Sequence, residues 1–448
     1  MASMISIIAT LALFAPVQDM AMPVVLPLRE RAEVQNRWLA ERLDAIVPAL
    51  MREAGVDCWV LVAREYNEDP VVKTMLPATW LAARRRTILV FFDSGEDQEF
   101  ERLAVARYDI GEAFPRAWDP EQQPDQWACL AELIEQRAPK RIAVNVSHDF
   151  ALADGLSHGE HEGLMSALSE EQRAKIVPGE ALAIGWLETR VPSEMVVYPA
   201  LCRIAHAIIA EGLSESVIQP GVTTSKDVQW WYRERIAELK LDTWFHPSVE
   251  IQRAAAPERG GSFADKQGDL VIQPGDFLHV DFGITYLGLN TDTQQHAYVL
   301  KAGETEAPLG LRQGFAKANR LQDILMSQFK VDRSGNQVLK NSREIAIGEG
   351  LRPSIYTHPL GFHGHGAGAT IGMWDQQGGV PGKGDYPVRP NTAWSIELNV
   401  TEAVAEWGGK EVRFMLEEDA FFDGESCEFI DGRQTELWLI PRPITASK

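Results

Sequence analysis

The chain has 448 residues, with 43 Lys plus Arg against 64 Asp plus Glu, a formal net charge of -21. Such an acidic protein has no general attraction for nucleic acid or anionic membrane. With 45% hydrophobic and 24% charged residues it is globular in composition, and its length suits two or three domains, which excludes disordered and fibrous architectures.

The first apolar run, Ile5 to Val17, is too short to cross a bilayer and reads as the hydrophobic region of a secretory signal covering residues 1–22. It predicts an exported protein, periplasmic or secreted, with a cytoplasmic one as the alternative. No other segment is expected to span a membrane. Val34, Trp38, Leu43, Ile46 and Leu50 then recur at helical spacing up to Gly55. Short apolar runs at 58–63, 87–92 and 141–146 read as strands, separated by helical stretches such as 126–136. This alternation predicts an α/β domain over residues 29–188.

Two helical patterns, 194–216 and 225–239, open the second half, and strands are expected over 276–284 and 293–300 around a turn at Gly288. Two more helices, 308–329 and 334–347, precede strand patterns at 391–404, 411–422 and 435–440. The order helices, strands, helices, strands predicts an α+β domain with an internal duplication over residues 190–448.

Cys58, Cys129, Cys202 and Cys427 form no C-x-x-C pair, so any metal must be held by oxygen and nitrogen. Asp281 and Asp292 stand eleven apart on two strands joined by a turn, and adjacent strands can bring both together. The run Tyr356 to Gly368 places His358, His363 and His365 among glycines, and His is the usual neutral metal ligand or proton carrier. Glu397 interrupts an apolar strand pattern, an expensive position unless the carboxylate is paired or metal-bound, and Glu418 sits similarly beside Glu417 and Asp419. Four carboxylates and an imidazole suit two divalent ions sharing a water.

In order, an Asp in a D-F-G strand, an Asp eleven later, a His in a Gly-rich run and two strand Glu resemble the M24, or pita-bread, metallopeptidases. The part before residue 190 resembles the creatinase-type N-terminal domain of their Xaa-Pro aminopeptidase and prolidase branch. The resemblance implies a C-terminal pita-bread domain behind an α/β creatinase-like domain, usually as a homodimer or higher homo-oligomer. It implies metal ligands Asp281, Asp292, His365, Glu397 and Glu418, with Asp292 and Glu418 bridging. His358 and His363 stand as substitutes for His365 or as further catalytic imidazoles. Two divalent ions, Mn2+ first and Fe2+, Co2+ or Zn2+ otherwise, would activate a bridging hydroxide, and Glu397 would carry its proton to the departing amine of a small peptide or peptide-like substrate.

Relatives carry a His about seventeen residues before the first Asp, where this chain has Ser262, Phe263, Ala264 and Asp265. They carry another seven residues after the ligand His, where counting from His365 gives Gly372. Leu416 and Leu398-Asn399 replace further family residues. These departures bring in two alternatives: chemistry on a non-peptide small molecule, or peptide binding without cleavage.

Overall fold

The computed structural model describes residues 22–95, 100–255 and 268–442. The expected secretory signal, apart from Met22, and residues 262–265 lie outside that range.

The first part begins with α1 (Leu28–Ala54), whose buried stripe includes Trp38, Leu39, Leu43, Ile46, Val47 and Leu50. Gly55 ends it in the left-handed conformation (φ 62°), which lets the N–H of Val56 reach back to Met51 O at 2.8 Å. There follow β1 (Cys58–Arg64), α2 (Pro70–Met75), β2 (Arg86–Phe92), β3 (Glu101–Val105), α3 (Gln126–Arg137), β4 (Ile142–Val144), α4 (His158–Ala167), α5 (Glu170–Arg173), β5 (Ile176–Pro178) and α6 (Glu180–Glu188). The strands form one mixed sheet in the order β3-β2-β1-β4-β5, with β1 antiparallel to β2 and parallel to β4. Central β1 is apolar from Cys58 to Ala63 because both its faces are covered: Trp59 and Leu61 enter one core, Cys58, Val60 and Val62 the other.

The second part opens with α7 (Pro192–Gly212) and α8 (Ser225–Glu238), then β6 (Ser248–Gln252), β7 (Phe277–Phe282), β8 (Thr285–Tyr286), β9 (Leu289–Asn290) and β10 (Thr293–Val299). A second helix pair, α9 (Leu309–Met326) and α10 (Gly335–Gly348), leads to β11 (Pro353–Ile355), β12 (His358–Leu360), β13 (Thr392–Ser395), β14 (Leu398–Val404), β15 (Lys410–Leu416), β16 (Asp419–Phe422), β17 (Cys427–Phe429) and β18 (Trp438–Ile440). The second helix of each pair starts with the same device, a capping box at Thr224/Asp227 and at Ser334/Gln337. The strands assemble as β18-β10-β7-β6, β11-β14-β15 and β12-β13-β16-β17, with β8-β9 as a small hairpin.

Helix α7 is, by length and composition only, apolar enough to cross a membrane. Its Leu201, Ile204, Ile208 and Ile209 are instead buried with Leu278, Val280 and Val299 of β7 and β10, which makes it a core helix. Each such side chain, removed from water, contributes about 1.5–3 kcal/mol. One expectation is corrected here. The stretches 391–404 and 411–422, each expected as one strand, are both broken, at Ile396–Glu397 and at Glu417–Glu418. At these breaks the chain passes from one sheet to another, since β13 and β16 pair with each other in one sheet while β14 and β15 pair in a different one.

Candidate metal centre

On β7, Leu278, Val280 and Phe282 point into the α7 core, so Phe277, His279 and Asp281 must occupy the opposite face. β10 runs antiparallel, with Gln294 opposite Asp281 and His296 opposite His279. Its alternation therefore puts Asp292, Gln294 and His296 on the same face, and the eleven-residue spacing brings the two aspartates one pleat apart.

The two strand breaks supply the other side. Glu417 forms an isolated bridge with Gln294, Gln294 N donating to Glu417 O at 2.9 Å, and Ile396 N donates to Glu418 O at 2.9 Å. Together they bring Glu397 and Glu417 over the aspartates. On β12, His358 is in register with Ser395 of β13. Its Nδ1–H donates to Pro359 O at 3.1 Å, which leaves the Nε2 lone pair aimed inward, 3.7 Å from both Asp292 Oδ2 and Glu417 Oε1.

Ligand atoms of Asp281, Asp292 and Glu417 all lie within 4.8 Å of one another, and those of His358, Glu397 and Glu417 form a second such triad. Asp281 Oδ1 and His358 Nε2 are buried without a hydrogen-bond partner among the described residues. Burial first, and the charge of Glu417 second, push the carboxyls of Asp281, Asp292 and Glu397 well above their ordinary range. Clustered carboxylates with orphaned buried ligand atoms fit divalent cations, which would offset the repulsion and engage those atoms. Gln294 Nε2 donates to Glu397 Oε1 (2.9 Å) and Glu417 Oε2 (2.6 Å), and the Ser395 hydroxyl donates to Glu417 Oε1.

Three expected roles are redistributed. Glu418 is not in the cluster: its Oε2 meets His206 Nε2 at 2.7 Å and its Oε1 accepts from Gln434 N (3.0 Å) and Gln295 Nε2 (3.2 Å). Neighbours in extended chain point to opposite sides, so Glu417 faces inward and Glu418 cannot. The His grouped with Glu397 and Glu417 is His358, because β12 pairs with β13 and carries residue 358 to that edge. His365 stands beside it, ring centroids 4.6 Å apart, in a third triad with Asp292 and His358. Counting seven from His358 reaches His365, so the imidazole sought at Gly372 is present after all. His363 is in none of these triads; burial, Lys73 and Arg190 hold it down at about 4. Gln294 and Ser395 were not anticipated, although the polar run TDTQQ in a buried strand was the available signal. A cleft of ≈ 780 Å³ in the first part, lined by Arg64, Trp80, Arg84, Arg85 and Arg107 among others, includes none of the carboxylates.

The His loop is held from both parts. His365 lies between Trp244 and Tyr356, at 5.0 and 5.9 Å between ring centroids, and part of its surface reaches solvent. Loss of hydration, then His358, lowers it to about 4. Phe362 is gripped by two guanidinium groups, Arg42 of α1 at 4.6 Å and Arg190 at 4.8 Å from its ring centroid, with Trp186 of α6 stacked behind at 6.5 Å. Arg42 is itself buried and ion-paired with Glu194 at 3.1 Å. Asn290 N and Nδ2 both donate to Gly361 O, at 2.9 and 3.0 Å.

Residues 200–418 match the family model of metallopeptidase family M24. No curated protein matches the sequence significantly. Similar solved structures include an X-Pro aminopeptidase from Thermotoga maritima, with a TM-score of 0.61 at 16% identity, covering 87% of this chain and 99% of that one. An Xaa-Pro dipeptidase from Bacillus anthracis has a TM-score of 0.58 at 17% identity, covering 92% and 100%. For a prolidase from Pyrococcus furiosus the values are 0.54, 12%, 86% and 99%. Residues 200–418 are thus similar to the M24 metallopeptidases, and the chain shares its two-part pita-bread fold with solved Xaa-Pro aminopeptidase and prolidase structures.

Proposed function

We propose that the chain is a dinuclear metal-dependent peptidase that cleaves the bond before proline in small peptides. One observation carries the reading: two ligand triads, Asp281/Asp292/Glu417 and His358/Glu397/Glu417, share Glu417. A pair of adjacent cations bridged by one carboxylate is the occupancy such a set suits. When bound, the ions would supply charge stabilisation and a water made acidic enough to attack an amide near neutral pH.

The chain's own residues do the remaining work. Glu397, with Oε1 engaged by Gln294, offers its other oxygen to take the attacking water's proton and return it to the departing amine. His358 is kept in the tautomer that presents Nε2 to the centre. His365, at the solvent side of His358, is placed to hydrogen-bond a substrate carbonyl. Trp244 and Tyr356 wall that side with apolar surface, which suits a proline ring.

Mn2+ is the expected ion, because four carboxylates and one imidazole form a hard, oxygen-rich set; Fe2+, Co2+ and Zn2+ are the alternatives. The same proposal divides the chain into residues 29–188 and 190–448, in keeping with sheets that share no strand. It includes a homodimeric or higher homo-oligomeric state and export directed by residues 1–22, with a cytoplasmic location as the alternative.

Metal analysis of protein purified without chelator, followed by a panel of Xaa-Pro and proline-free dipeptides on the same sample, tests it. Two equivalents of metal and turnover confined to Xaa-Pro, both lost in Asp281→Ala, are expected. Stoichiometric metal with inert Xaa-Pro substrates would defeat the specificity, and absence of bound metal would defeat the whole reading.

A further inference from the structure

The side chain of Gln294 touches both glutamates of the centre. Its Nε2 carries two N–H groups, one directed at Glu397 Oε1 (2.9 Å) and the other at Glu417 Oε2 (2.6 Å). Its Oε1 meets His279 Nε2 at 2.9 Å. The orientation suits a metal-loaded centre, where the two carboxylates would be ionised, could only accept, and would require the amide to turn its nitrogen to them. The carbonyl then faces His279, which must donate from Nε2. The opposite ring nitrogen, Nδ1, has no hydrogen-bond partner among the described residues, and in this tautomer it carries a lone pair and no proton.

The strap starts on one rigid element and ends on two separate ones. His279 sits in the middle of β7 and Gln294 on the neighbouring β10, both with their backbones paired in the sheet. Glu397 and Glu417 come from the two strand breaks, whose backbones are held by the ladders on either side while the spacing of the two carboxylates is left to their side chains. Left alone, two negative groups there would separate. A neutral double donor holds them together without bringing a positive charge, whereas a Lys or Arg in its place would compete with divalent cations for the same oxygens.

We infer that Gln294, anchored by His279, is a positioning residue that sets the spacing of Glu397 and Glu417 and so tunes the affinity of the centre for divalent ions. The inference rests on the metal reading above and adds to it a determinant that is not a ligand. Gln295 supplies an internal control. It is the same residue type, on the same strand but facing the other way, where it donates to Glu418 Oε1 (3.2 Å) and accepts from Trp438 Nε1 (2.9 Å).

The test is calorimetric titration of the full chain, stripped of metal and then supplied with Mn2+, for wild type, Gln294→Met and Gln295→Met. Methionine keeps the length and volume of the side chain and removes its donors. Gln294→Met is expected to raise the Mn2+ Kd by about 10–100-fold, the usual cost of losing a partner behind a metal ligand. Gln295→Met is expected to leave the Kd within about twofold of wild type, since Glu418 takes no part in the centre. His279→Leu, which frees the strap at its anchored end, should weaken binding in the same direction by about 2–10-fold. It gives the answer if Gln294→Met does not fold. Unchanged affinity in both Gln294→Met and His279→Leu, or an equal loss in Gln295→Met, overturns the inference while leaving the metal reading intact. No Mn2+ binding by wild type removes the metal reading and the strap's role together.

Discussion

Glu417 and Glu418 are adjacent and chemically identical, yet the fold gives them opposite tasks, and replacing each by Gln should change stability with opposite sign. Glu417 belongs to both carboxylate triads, with ligand atoms within 4.8 Å of those of Asp281 and Asp292. Two unit charges 4.8 Å apart at an effective dielectric of about 20 repel by about 3.5 kcal/mol. Part of this is already relieved, because Asp281, Asp292 and Glu397 are driven toward their protonated forms. In chelator, Glu417→Gln should therefore stabilise the chain, by about 1–2 kcal/mol. Glu418→Gln breaks a buried pair with His206 at 2.7 Å. It leaves His206 short of its main counter-charge, a loss that costs about 3 kcal/mol or more. Added Mn2+ at a hundred times its Kd should raise wild type and Glu418→Gln alike by about 2.7 kcal/mol for each ion bound and Glu417→Gln by far less. Urea denaturation followed by Trp fluorescence, with EDTA and with Mn2+, reads all six values. A metal response kept in Glu417→Gln and lost in Glu418→Gln would refute the assignment.

Glu188 should make stability fall as pH rises. It is buried, neither oxygen has a hydrogen-bond partner among the described residues, and Arg389 approaches only to 3.6 Å. Burial, outweighing Arg389 and Arg190, raises its pKa to about 8 from an ordinary 4.5. Between those values the folded chain keeps a proton that the unfolded chain has released, so stability is lost across that window. Glu188→Gln should flatten the change in urea midpoint between pH 5 and pH 8.5; a slope as steep as wild type would exclude Glu188 as its source. At Gly364 a Cβ would come within 2.1 Å of the Trp244 ring, whose Nε1 is tied to Thr291 O at 3.1 Å. Gly364→Ala should cost about 1–3 kcal/mol in thermal denaturation, and a change below about 0.5 kcal/mol would show that the indole can move aside.

The aspartate pair was legible because its determinants are local: period-two alternation on β7 and β10, and a turn short enough to set their register. Glu397 announced itself by its cost in an apolar pattern. The remaining ligand positions depend on contacts distant in sequence. Whether 417 or 418 faces inward is settled by where the β15 strand breaks and by the bridge from Glu417 to Gln294, and nothing in FMLEEDAFF reveals that break. Choosing among His358, His363 and His365 requires knowing that β12 pairs with β13, since the glycines around them permit any of the three to turn inward. Gln294 was passed over for another reason. A neutral amide in a strand suggests no chemistry until the groups at its two ends are known.

The grip on Phe362 bears on where a working unit of this chain can be cut. The ring lies two residues before Gly364 and four after His358, and its clamps, Arg42, Trp186 and Arg190, all fall outside residues 200–418. Excising the stretch that carries every metal-facing side chain would thus strip the histidine loop of its brace and leave an aromatic ring without its covering. A fragment that keeps the brace is longer than the stretch carrying the centre, and it reaches back at least to the first helix.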